Sequence, residues 1–177
     1  MERVSVVGSS GAGKSTFARD LAQRLGVRHV ELDAIFHLPN WEELPVEEFR
    51  AAVTAEVAKP AWVVDGNYSH VQDLVWERAD TVIWLDLSRP LVMRRVIPRT
   101  VARVVRRTEL WNGNREPWSN LWSRDPSTSI IAWAWTSYAE LRERYELAAS
   151  DPRWASLRFI RVRTPRDART LLSDARS

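Results

Sequence analysis

The sequence predicts a three-layer α/β fold, a parallel sheet with helices on both faces. Three observations carry that prediction. Short β-branched runs alternate with segments of helical periodicity along the chain. A glycine-rich loop lies between the first run and the first helical segment. Acidic residues follow the second, third and fourth runs, where ligands meet a sheet of this kind.

The elements follow in order. Val4 to Val7 reads as a buried strand, and Thr16 to Leu25 as a helix with Phe17, Leu21, Ala22 and Leu25 on one face and Gly26 as its stop. Val27 to Leu32 is a second strand. Val46 to Ala58 is a helix that starts after Pro45 and carries Phe49, Val53 and Val57 as one stripe. Ala61 to Val64 and Thr81 to Leu85 are the third and fourth strands. Pro90 to about Arg107 is a long helix that Pro98 is expected to kink or break. Residues 111–125 read as loop and 128–149 as helix. A last strand, 157–162, precedes a closing helix, 165–172.

The glycine-rich loop is Gly8-Ser9-Ser10-Gly11-Ala12-Gly13-Lys14-Ser15-Thr16, which fits G-x-x-x-x-G-K-[ST]. Its glycines let the backbone turn tightly and aim N–H groups at phosphate oxygens. Lys14 brings a compact charge to the outer phosphates, and the Ser15 hydroxyl is placed to ligate Mg²⁺. Strand, loop and helix stand in the order a P-loop needs, with a helix N-terminus behind the anion. The 26 basic residues include only two lysines, Lys14 and Lys59, so a chain that otherwise uses arginine keeps Lys inside the loop.

A chain of 177 residues with 45% apolar content suits one domain with a real core. It contains no cysteine, which excludes disulfides and thiolate chemistry. The absence of a long apolar run and of a leader pattern predicts a cytoplasmic enzyme without a membrane span. Net charge is +3, but the stretch from Arg94 to Arg124 holds eight arginines against Glu109 and Glu116. Five of the ten tryptophans fall between Trp111 and Trp135. Such a basic, aromatic segment either closes over phosphates or binds nucleic acid.

The acids at the strand ends have alternative roles. Asp65 either holds Mg²⁺ through water or opens a turn with Gly66. Asp33 either touches the acceptor or takes its proton, or else caps a helix. Asp86 precedes Ser88-Arg89-Pro90 and is better placed as a cap. Arg95 and Arg99 share a helix face that Arg103 and Arg107 continue; the row either neutralises phosphates or is solvated. The Arg163-Thr-Pro165-Arg166 turn either covers a base or merely joins strand to helix. His29, His37 and His70 show no metal-ligand spacing and read as packing or surface residues. The tryptophans at 62, 76, 84, 133, 135 and 154 read as core or half-buried.

Together these residues resemble the adenylate-kinase-like P-loop kinases. The closer resemblance is to the small bacterial DNA topology modulation proteins, carried by Glu31-Leu-Asp-Ala34, Trp41, Trp62 to Asn67, Ala79 to Asp86 and Glu109 to Glu116. The resemblance implies five parallel strands, a nucleoside-monophosphate-kinase-like acceptor-binding helical insert at 34–60, and an Arg-rich lid at 107–126 that includes Arg115. It implies that Arg95 and Arg99 brace the transferred phosphoryl group and that Arg163 to Pro165 lie near adenine. One departure stands out. Adenylate kinases follow the third-strand Asp-Gly with Phe-Pro-Arg, whose Arg grips the acceptor phosphate; here Asn67-Tyr68-Ser69 follows Asp65-Gly66.

The sequence therefore predicts an ATP- and Mg²⁺-dependent phosphotransferase acting on a nucleotide or other small-molecule acceptor, with Asn67 and Tyr68 near that acceptor. The rival is a nucleotide-gated nucleic-acid-binding protein, since arginine with Trp111, Trp118 and Trp122 suits single strands. A GTPase is set aside because no Asn-Lys-x-Asp segment exists. An AAA-type motor is set aside because Asp65 and Asp86 lack an adjacent Glu to activate water.

Overall fold

The computed structural model describes residues 1–175. Its order is β1 (Arg3–Gly8), α1 (Lys14–Leu25), β2 (Arg28–Glu31), α2 (Leu32–Phe36), α3 (Val46–Val57), β3 (Trp62–Asp65), α4 (Ser69–Trp76), β4 (Thr81–Leu85), α5 (Arg89–Val105), α6 (Ile130–Ser150), β5 (Arg158–Val162) and α7 (Pro165–Asp174). The five strands form one parallel sheet in the order β2-β3-β1-β4-β5. All but the first residue of β1 are buried, as a central strand covered on both faces requires.

Strand alternation divides the core in two. Val4, Val6, Ile83 and Val162 meet Phe17, Leu21, Val92 and Val96 on the α1–α5–α7 side. Val7, Val64, Val82 and Trp84 meet Phe49, Val53, Val71, Trp76 and Tyr145 on the α3–α4–α6 side. The stripe expected on α3 is there, with Phe49, Val53 and Val57 all buried. Every strand therefore ends at one edge, and loops after β1, β2, β3 and β4 gather there.

Three local expectations differ from the structure, and two helices form where none was specified. α5 runs unbroken through Pro98, which lies on the exposed face, so the carbonyl that loses its helical partner meets water. α2 and α4 form where the sequence shows no clear stripe; α4 is held by Val71, Val75 and Trp76 against the sheet. Trp133 and Trp135 are exposed, because the buried stripe of α6 runs through Ala134, Ser137, Tyr138, Leu141 and Tyr145. Asp86 does not cap α5: Ser88 occupies that position, and Asp86 accepts from Arg161 at 2.6 and 2.9 Å. No helix among the described residues is long and apolar enough to cross a membrane.

Candidate functional site

The site begins where β1 ends. Gly8 has φ 143°, and a Cβ there would sit 2.6 Å from the Leu85 carbonyl oxygen. Gly11, at φ 84°, is pressed against α5: its Cβ would sit 2.1 Å from Val96 Cγ2. Gly13 is the N-cap of α1 and offers no side-chain cap, and the first turn of α1 holds no acid. The positive end of α1 is thus left for an external anion. The Lys14 ammonium lies 3.2 Å from the Ser9 carbonyl oxygen. Burial pushes its pKa down, against the raising fields of Asp33 and Asp65, and the Arg99 charge adds to the lowering.

Asn67 braces this loop from below. Its Nδ2 donates to the Gly8 carbonyl at 2.6 Å, while its Oδ1 accepts from the Gly8 amide at 3.1 Å and from Tyr145 Oη at 3.0 Å. Arg144 donates to the Asn67 carbonyl at 3.0 Å. With its amide used this way, the residue beside it, Tyr68, is the one that reaches the second strand's acid.

Two carboxylates flank the loop. Ser15 Oγ donates to Asp65 Oδ2 at 2.6 Å, and Asp65 is 4% exposed at the end of β3. His29 Nε2 lies 3.0 Å from Asp65 Oδ1, and we assign the tautomer that places the ring proton on this nitrogen, where the carboxylate oxygen accepts it. Asp33 is not a cap: it lies inside the first turn of α2, whose N-cap is Glu31. It accepts from Tyr68 Oη at 2.7 Å, and His37 Nε2 stands 3.4 Å from that phenol. Burial, then the Asp33 charge, drives the Tyr68 pKa well above its ordinary value, so the phenol stays a donor.

The arginine row divides. Arg95 donates to the Ala12 carbonyl at 3.1 Å and so faces the loop. Arg99 has a buried Nε with no hydrogen-bond partner. Burial and then Arg103 hold its pKa below the usual guanidinium range, while Glu116 and Asp33 act the other way. Arg103 is bonded to Glu116 at 3.0 Å. Arg107 is exposed with φ 49°, and Arg115 stands 3.8 Å from Glu109. Arg163 is exposed, and its N–H is bonded to Asp167; Thr164 and Asp167 form a capping box with Pro165 in the first turn of α7.

The 107–126 segment folds onto the 31–41 segment. Trp111 Nε1 donates to Glu31 Oε2 at 2.8 Å, and Asn114 Nδ2 donates to the Leu38 carbonyl at 2.8 Å. The Trp41 amide donates to Asn114 Oδ1 at 2.9 Å, and its indole to the Arg115 carbonyl at 3.0 Å. Sequence reasoning missed His29, Glu31 and Asn114 as site residues. One signal was available: in Arg28-His-Val-Glu31 the period of two puts His29 and Glu31 on the face opposite buried Val30.

Among the described residues, no three His, Asp or Glu side chains gather as an all-protein metal cage. The Ser15–Asp65 pair still suits Mg²⁺, which is held by one or two carboxylates together with substrate phosphates rather than by a dedicated cage.

A family model described as an AAA domain matches residues 4–147. No curated protein matches the chain. Among solved structures, shikimate kinase from Acinetobacter baumannii in complex with shikimate is similar at a TM-score of 0.57 and 16% identity, over 98% of this chain and 90% of that one. A gluconokinase from Sinorhizobium meliloti 1021 is similar at 0.52 and 21% identity, over 98% and 92%. At these identities the likeness is one of fold, and the five-stranded sheet with helices on both faces is the α/β P-loop kinase fold. The family's description concerns the domain; the neighbours of Asp65 and Asp86 are Val64, Gly66, Leu85 and Leu87, so neither acid has the adjacent Glu of a motor.

Proposed function

We propose that this chain, which belongs to the AAA-domain family, is a nucleotide-dependent kinase that transfers the γ-phosphoryl group of ATP to a hydroxyl of a small acceptor. One observation carries the reading. The buried Lys14 ammonium lies within the charge fields of Asp33, Asp65 and Arg99, at a loop that leaves a helix N-terminus open to an anion. The solved kinases that share the fold support it, as does the adenylate-kinase-like pattern of the sequence.

Lys14 and the loop amides from Ser9 to Thr16 would hold the β- and γ-phosphates. Ser15 and Asp65 would hold Mg²⁺, which supplies charge neutralisation between the phosphates. Arg99, whose Nε has no internal partner, would meet the transferring group beside Arg95. The acceptor hydroxyl would attack the γ-phosphorus as its proton passes to Asp33, and ADP would leave. Tyr68 holds that carboxylate in place through its 2.7 Å bond. Residues 34–60 would carry the acceptor and 107–126 would form the lid, and the hydrogen bonds between the two segments would help keep water from the transfer. Arg163 and Pro165 would lie near the adenine.

Incubation with ATP, Mg²⁺ and a panel of nucleosides, nucleoside monophosphates, sugars and hydroxy acids tests the reading. We expect acceptor-dependent ADP release that EDTA abolishes. ADP release that no acceptor changes, or that persists in EDTA, would count against it.

A second reading has its own support. Trp118 and Trp122 are exposed, as are Arg106, Arg107 and Arg124 of the same basic segment, and exposed aromatics with arginines suit stacking of single-stranded nucleic acid. Under that reading, binding to single-stranded DNA falls steeply between 50 and 200 mM salt, on the order of 10-fold or more, and is lost on replacing Trp118 and Trp122. Absent or salt-independent binding removes it.

A further inference from the structure

A chain of polar contacts runs from the lid to the P-loop and passes through His29. Trp111 Nε1 donates to Glu31 Oε2 at 2.8 Å. Glu31 Oε1 stands 3.8 Å from His29 Nδ1. His29 Nε2 is 3.0 Å from Asp65 Oδ1, and Asp65 Oδ2 accepts from Ser15 at 2.6 Å. Trp111 and Ser15 are far apart in sequence, and β2 and β3, paired in parallel with Glu31 opposite Asp65, bring their partners together.

We propose that His29 is a positioning residue, which fixes the Asp65 carboxylate for the cation and ties that carboxylate to closure of the lid. The proposal rests on the nucleotide site described above. Asp65 is buried, and each of its oxygens has one donor, so the plane of the carboxylate is set. A hydroxyl that ligates a cation must turn a lone pair toward it and its hydrogen away. Ser15 can ligate the cation and still donate that hydrogen to Asp65 Oδ2, while the other oxygen, Oδ1, has His29 as its partner, so His29 fixes the half of the carboxylate that Ser15 does not reach. Mg²⁺ demands near-ideal octahedral geometry, so the orientation of the carboxylate governs how well it binds. On the other side of the ring, Glu31 receives the lid through Trp111. Lid docking thereby orders Glu31, Glu31 fronts His29, and His29 fronts Asp65.

The test uses the full chain and ATP as probe, titrated calorimetrically with Mg²⁺ and again with EDTA. His29→Leu removes the donor; His29→Gln keeps an N–H for Asp65. In His29→Leu we expect the gain in ATP affinity conferred by Mg²⁺ to shrink by about 10- to 100-fold, the range for lost outer-shell support of a metal ligand, with affinity in EDTA unchanged. His29→Gln should restore most of the gain. A merely packed histidine would alter both titrations alike or neither, and either result overturns the proposal. Trypsin cleavage after exposed Arg107 reads the lid. It should quicken in His29→Leu and in Trp111→Phe, and cleavage as slow as in the wild type in Trp111→Phe overturns the lid link even if His29→Leu fails to fold. A wild-type chain that binds no ATP overturns the nucleotide site itself, whereas wild-type binding with an intact Mg²⁺ gain in His29→Leu overturns only the role of His29.

Discussion

Lys14→Ala is expected to lower phosphoryl transfer by about 100- to 1000-fold, the cost of removing one preorganised donor from developing charge, and to weaken ATP binding in parallel. Lys14 ends among Ser9, Asp33, Asp65 and Arg99, where its ammonium is short of water and its pKa is already lowered by burial. A cation kept there despite that cost has a counter-anion to meet, and phosphate oxygens supply one. The fold should survive the change, since Lys14 opens α1 and Ala is the best helix former. Lys14→Arg should fail nearly as badly, because a planar fork does not replace a compact ammonium in a tight loop. Calorimetric titration with ATP decides the matter: an affinity equal to that of the wild type removes the nucleotide site from this loop.

Asp33→Asn is expected to have the second-largest effect, a fall in kcat of about 100- to 10,000-fold, the usual contribution of a positioned general base. The substitution is nearly isosteric, and Asn Oδ1 still accepts from Tyr68 Oη, so the 2.7 Å bond and α2 should persist. What is lost is the charge and the capacity to take a proton. ATP affinity should change only a few-fold, which separates this variant from Lys14→Ala. Steady-state kinetics with varied ATP and varied acceptor gives the comparison. A kcat close to that of the wild type would make Asp33 a support for Tyr68 and nothing more.

Much of the fold was legible in local pattern. The stripe Phe49, Val53 and Val57 and the stop at Gly26 were both readable, and both appear in the structure. α4 was not legible, since eight residues between two turns leave too short a record of periodicity, and distant contacts stabilise it: packing of Val71, Val75 and Trp76 and the Arg50–Asp73 pair. Trp133 and Trp135 misled because aromatic size alone says nothing about which side of a helix faces the core. Proline in α5 misled because a missing N–H costs little where the orphaned carbonyl is wet.

In the site, the glycine-rich loop, the acids at the strand ends and the arginines of α5 were legible in the sequence, because each is written in neighbouring residues. How they pair with one another came from the folding of the chain. It brought Arg95 to the loop, buried the Arg99 Nε without a partner and gave Arg103 to Glu116. It set Tyr68 on Asp33, used the Asn67 amide to brace Gly8, and placed His29 against Asp65. The reason lies in the strand order β2-β3-β1-β4-β5. Parallel strands are joined by crossovers, so neighbours at the sheet edge come from distant parts of the chain. A local pattern can record which residues reach that edge, but not which of them meet there.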